Sequence, residues 1–200
     1  LDALLIACNT TNACALDILE NNLKVPCFEL INSVSEIVDK QIIGVLATQT
    51  TVRSSYYKNA ISSKKKNSKI FQQECPEFVP EIEKKNLNLR KISSLSETYL
   101  SPLLKENIQG LILGCSHYPL ILNVLRNKLD KNIKIFDPSE ALIKKFNQFF
   151  KISKKNSSEN ISYENVQFFV TAKKEEFSQK VIYWLEINKE IRLVNLRSNV

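Results

Sequence analysis

The sequence holds no methionine, one histidine, one tryptophan and three glycines in 200 residues. Each scarcity excludes something. So few glycines leave no loop rich enough to cradle a nucleotide phosphate. One histidine and no C-x-x-C pair argue against a structural zinc site, so no metal is expected. The five cysteines, Cys8, Cys14, Cys27, Cys75 and Cys115, are odd in number and widely spaced. That fits reduced thiols of a cytoplasmic protein, not a disulfide framework. No apolar run approaches the ~20 residues of a membrane span. The opening "LDALLIACNT" has neither a basic lead nor a small-residue cleavage site, so no secretory signal is expected. With no initiating methionine and a strand-like start, we expect the N-terminal part of the parent protein to be missing.

Lysine is plentiful, and the net charge is +7. Its runs, at 64–66, 84–85, 144–145, 154–155 and 173–174, are scattered and have no interleaved aromatics. They read as a solvated surface, and no nucleic-acid partner is expected.

Short apolar runs alternate with amphipathic stretches. Strands are predicted at 3–7, 26–31, 42–47, 68–73, 110–114, 132–136 and 166–171. Helices are predicted at 11–21, 33–40, 51–62, 78–86, 95–107, 118–129, 138–150 and 174–187, and 151–163 reads as a loop. Ser33-x-x-Glu36 has the spacing of a capping box. Pro119 and Pro138 stand where first-turn prolines belong. This alternation predicts an α/β fold of parallel sheets covered by helices.

In such folds ligands bind beyond the carboxyl ends of the strands. There the chain carries "CNTT" at 8–11, "TQTT" at 48–51, "ECPEF" at 74–78 and "CSHYP" at 115–119. Thiols, small hydroxyls and a carboxamide suit a small, polar, anionic ligand. Cys8 and Cys115 each follow an apolar run and precede a helical stretch, in two units that echo one another. A thiol at a strand-to-helix turn is expected to be acidified from its usual pKa of about 8.5. Two such thiols on opposite faces of one carbon could remove a proton and return it with inverted configuration. Cys14, Cys27 and Cys75 read as buried small hydrophobes.

"ACNTT" and "GCSHYP" closely resemble the two cysteine motifs of the glutamate racemases. "IGVLATQTTVRSSYY" at 43–57, "CPEFVPEIE" at 75–83, "FDPSEAL" at 136–142 and "VQFFVTAKKEEF" at 166–177 are similar to further segments of that family, in the same order. The resemblance implies a cofactor-independent interconversion of L- and D-glutamate, supplying D-glutamate for the bacterial cell wall. It implies two similar α/β domains with the site in the cleft between them. The first would take residues 1–32 plus 137–200, and the second 33–136. Cys8 and Cys115 would be the two bases, with His117 assisting Cys115 and Glu83 beside the histidine. Asn9, Thr10, Thr48, Thr51, Ser116 and His117 would bind substrate. The family usually carries threonine where Ser116 stands. Its Asp-Ser-Gly and Tyr-Gly motifs are not among these residues, which leaves the activity of this stretch by itself open.

The implied partner is glutamate; no membrane is expected, and a homodimer is left open. Alternatives are an aspartate or hydantoin racemase relative, a non-catalytic amino-acid-binding protein, or an inactive fragment on the same fold. Histidine two residues after the second cysteine favours glutamate over the first of these.

Overall fold

Ile42–Ala47 and Gly110–Gly114 are the most deeply buried strands of the chain, with nearly every residue out of solvent. Such runs belong at the centre of a parallel sheet covered on both faces. The computed structural model describes residues 1–152 and 162–196. It divides into two compact units, Leu1–Ser153 and Lys154–Val200.

The first unit runs β1 (Leu4–Ile6), α1 (Asn9–Asn22), β2 (Cys27–Glu29), α2 (Leu30–Ile37), β3 (Ile42–Ala47), α3 (Gln49–Arg53), α4 (Tyr56–Lys64), β4 (Lys69–Glu74), α5 (Phe78–Ile82) and α6 (Leu89–Lys105). It continues through β5 (Gly110–Gly114), a 3-10 turn (Tyr118–Ile121), α7 (Leu122–Arg126), β6 (Lys134–Phe136) and α8 (Pro138–Phe149). One sheet has the order β4-β3-β5-β6, and β1 pairs with β2 in another; every pairing is parallel. The second unit places α9 (Lys174–Leu185) between two parallel strands, β7 (Phe168–Val170) and β8 (Ile191–Leu193). No helix among the described residues is long and apolar enough to cross a membrane.

Period-two alternation sorts the core of the larger sheet. Ile43, Val45, Ala47 and Ile112 join Ile31 and Val34 of α2 and Tyr57 and Ile61 of α4. Leu46, Leu111 and Leu113 join Phe78 of α5, Ile92 and Leu100 of α6, and Tyr118. Full burial of each valine, leucine, isoleucine or phenylalanine side chain among them contributes roughly 1.5–3 kcal/mol. A smaller cluster sets Phe28 of β2 against Leu142 and Phe146 of α8.

Several boundaries differ from the sequence reading. Ser33 does not cap a helix. Glu29 does, accepting from the N–H groups of Ile31 and Asn32, each at 2.8 Å. Ser33 lies inside α2 and its hydroxyl donates back to the Glu29 carbonyl. Glu36 instead pairs with Lys64 and Lys145. The helix expected at 51–62 is two, broken where Ser55 takes a left-handed φ of 57°. Asn88 starts α6 six residues before its expected position by accepting from Lys91 N–H at 3.1 Å. The stretch expected as helix 118–129 tightens into the 3-10 turn and the five-residue α7. Strand β8 was not expected. Residues 153–161, most of the expected loop, lie outside the described residues.

Candidate active site

Cys8 stands between β1 and α1, in extended backbone at the helix N-cap. Its carbonyl accepts the N–H of Asn12 at 2.9 Å. Cys115 follows β5 directly. The echo between the two cysteine-bearing units is real at the level of topology. Each cysteine leaves a strand whose parallel neighbour is the next strand in sequence, β2 for β1 and β6 for β5. The two thiols belong to different sheets and come from the carboxyl ends of both.

Their environments differ. Cys8 is exposed, whereas Cys115 is buried. Burial pushes the Cys115 thiol up, the backbone N–H of His117 pulls it down, and nearby Cys8 and Glu83 raise it further through like charge. This corrects the expectation of an acidified thiol at that position. Only a 3-10 turn beginning at Tyr118 follows Cys115, so desolvation outweighs any helix dipole. A chain of side chains leads away from it. The Sγ of Cys115 lies 3.7 Å from His117 Nδ1, and His117 Nε2 lies 2.9 Å from Glu83 Oε1. A carboxylate can only accept, so Nε2 carries the proton toward Glu83, and neutral His117 has Nδ1 free as an acceptor. Glu83 reaches this spot from the end of α5.

On the Cys8 side, Asn9 is buried and accepts the Tyr57 hydroxyl at 2.6 Å. Thr10 stands 2.9 Å from Thr48 and 3.2 Å from Thr51, oxygen to oxygen, and Thr48 and Thr51 are 3.0 Å apart. The three hydroxyls form a closed triangle joining the start of α1 to α3. Thr48 is the N-cap of α3, and Thr51 is fully buried. Ser116 is exposed in the turn after Cys115. So Thr10, Thr48 and Thr51 meet as one group, and Cys115, His117 and Glu83 as another. The Cys8–Cys115 electrostatic interaction links the two sides.

Of the cysteines read as structural, Cys75 is buried, Cys27 is partly buried and Cys14 is exposed. The burial reading is correct for Cys75 alone. Tyr57 escaped the sequence reading as a site residue, because a tyrosine in an amphipathic stretch carries no signal of its partner.

A model of the family described as Asp/Glu/Hydantoin racemase matches residues 1–146, a span that holds every candidate residue. A glutamate racemase of Prochlorococcus marinus (strain NATL1A) is 45% identical over 98% of this chain and 74% of its own length. The chain belongs to the glutamate racemases. Among solved structures, the glutamate racemase of Francisella tularensis subsp. tularensis SCHU S4 in complex with D-glutamate superposes with a TM-score of 0.83. It is 32% identical, covering 99% of this chain and 75% of that one. The aspartate racemase of Picrophilus torridus matches with a TM-score of 0.59 at 20% identity, over 77% of this chain and 64% of that one; this likeness is of fold alone. Glutamate racemases are isomerases, and the α/β architecture of parallel sheets flanked by helices is the one this chain shares with them.

Proposed function

We propose that this protein interconverts L- and D-glutamate by a two-base mechanism carried by Cys8 and Cys115. The observation that carries this reading is the Cys115–His117–Glu83 chain, held in one fold unit with the Cys8 turn and its hydroxyl cluster. One thiolate takes the proton from Cα, and the electron pair of that C–H bond passes into the substrate carboxylate. The thiol on the other face then delivers its proton to Cα, leaving the antipode. In the reverse direction the cysteines exchange roles.

Buried Cys115 rests as a thiol. To act as base it passes its proton to His117 Nδ1, and Glu83 steadies the imidazolium that results. Asn9, the three threonines and Ser116 hold the substrate. The protein works in the cytoplasm, needs no cofactor or metal, and supplies D-glutamate to cell-wall synthesis.

The test is racemisation by the full-length protein in D2O. Each enantiomer should yield its antipode with deuterium at Cα before the starting enantiomer exchanges. Replacing either Cys8 or Cys115 by serine should abolish turnover. Near-normal turnover by Cys115→Ser would refute the mechanism. Deuterium appearing first in unreacted starting material would point to a single base serving both faces.

A further inference from the structure

Tyr57 touches the flank of each thiol. Its hydroxyl donates to Oδ1 of Asn9, the residue after Cys8, at 2.6 Å. Its ring lies against Gly114, the residue before Cys115. A Cβ on Gly114 would meet Tyr57 Cε2 at 3.1 Å and the Leu46 carbonyl oxygen at 2.7 Å. The missing side chain at 114 therefore makes room for the ring beside β5. The break at Ser55 sets the start of α4, the helix that delivers Tyr57. Tyr57 is fully buried, and its ionisation is suppressed by burial first and then by nearby anionic groups, Cys115 among them. It stays a neutral hydroxyl and a donor.

Asn9 is 2% exposed, and its Nδ2 is buried with no partner. A carboxamide offers an acceptor on one side and two donors on the other. Tyr57 occupies the acceptor, so the unmatched group is the donor. A buried donor without an acceptor is costly, which marks a place where an acceptor belongs. We infer that Tyr57 is a positioning residue, locking the Asn9 carboxamide so that its N–H donors are kept for a carboxylate oxygen of the substrate, while its ring ties the Cys8 turn to the Cys115 turn. Without the hydroxyl the amide can rotate and present its oxygen, which repels a carboxylate. This assignment rests on the reading of Asn9 as a substrate contact.

The experiment compares the full-length wild type with Tyr57→Phe, Asn9→Ala and the double variant, measuring kcat, KM and thermal midpoint with glutamate. Phenylalanine keeps the ring and removes only the hydroxyl. KM for Tyr57→Phe should rise about tenfold, the worth of one oriented hydrogen bond. In the Asn9→Ala background the same change should move KM by less than about twofold, because its target is gone. A hydroxyl with only a structural role would lower the midpoint and leave KM alone, and that result overturns the inference. So does an effect that persists undiminished in the double variant. Asn9→Asp gives an independent reading should Tyr57→Phe not fold. It keeps an oxygen for Tyr57 but replaces the donors with an acceptor, so glutamate binding should be lost; a KM within about twofold of wild type overturns the assignment. A wild type without glutamate turnover overturns the functional reading itself, and this inference with it.

Discussion

The Nε2 of His117 and the Oε1 of Glu83 stand 2.9 Å apart, joining residues 34 positions apart in sequence. Both side chains are partly exposed, so as an ion pair they add little to stability. The contact matters for which nitrogen of the ring faces Cys115.

Glu83→Gln tests that point. Glutamine can still accept from Nε2, but it carries no charge to steady an imidazolium. Expected is a fall in kcat of roughly 10²-fold, at the low end for a general acid–base group. The fold should be unchanged by circular dichroism. The two enantiomers have equal free energies, so kcat/KM must fall by the same factor in both directions. Turnover within the error of wild type would remove Glu83 from the mechanism.

Thiol reactivity separates the five cysteines. Cys8 and Cys14 are exposed, while Cys75 and Cys115 are buried. Iodoacetamide followed by peptide mass mapping should label Cys8 and Cys14 first. Saturating glutamate should then slow labelling of Cys8 and leave Cys14 unaffected. Equal protection of both would mean that the ligand effect is global and that Cys8 does not line the site.

Much of this arrangement was legible in the sequence, for physical reasons that differ from part to part. The strands β3 and β5 stood out because a strand buried on both faces must be continuously apolar. The cysteine motifs stood out because ligands gather at strand ends, where the two thiols do lie. Helix boundaries were less legible. Ser33 and Glu36 have capping-box spacing, yet Glu29, the last residue of β2, captured the helix start three residues earlier. The break at Ser55 depends on one left-handed residue that is not glycine. Cys115 was expected to be acidified, but its burial comes from residues far away in the chain, which local pattern cannot reveal. The Tyr57–Asn9 bond, between residues 48 positions apart, is hidden for the same reason.

Cys75 should leave a signature in alkaline stability. It is buried, and its thiol is pushed up from 9.0 to about 12, mainly by desolvation. Below pH 9.0 the folded and unfolded chains both keep this proton, so it contributes no pH dependence. Between 9.0 and about 12 the unfolded chain loses the proton and the folded chain holds it. Stability then falls with rising pH by about 1.4 kcal/mol per unit from this group. Urea titrations of wild type and Cys75→Ala at several pH values isolate it from the buried tyrosines. The advantage of wild type over the variant should shrink as pH rises above 9. A constant difference from pH 8 to 11 would show that Cys75 does not hold its proton through folding.

Thr48 gives the last prediction. Its hydroxyl belongs to the triangle with Thr10 and Thr51, and it also caps α3 by accepting from Thr51 N–H at 3.4 Å. Thr48→Val keeps the shape and removes both roles. Losing the cap should cost about 1 kcal/mol of stability. Thr10 and Thr51 keep each other as partners, but the triangle opens, and KM for glutamate should rise about tenfold. Thr48→Ser restores the oxygen and should recover most of the KM, with at most a small packing loss. Denaturant midpoints and initial rates for the two variants separate the effects. A serine variant as impaired in KM as the valine one would mean that the hydroxyl of Thr48 by itself does not set the site, and would overturn the role given to it.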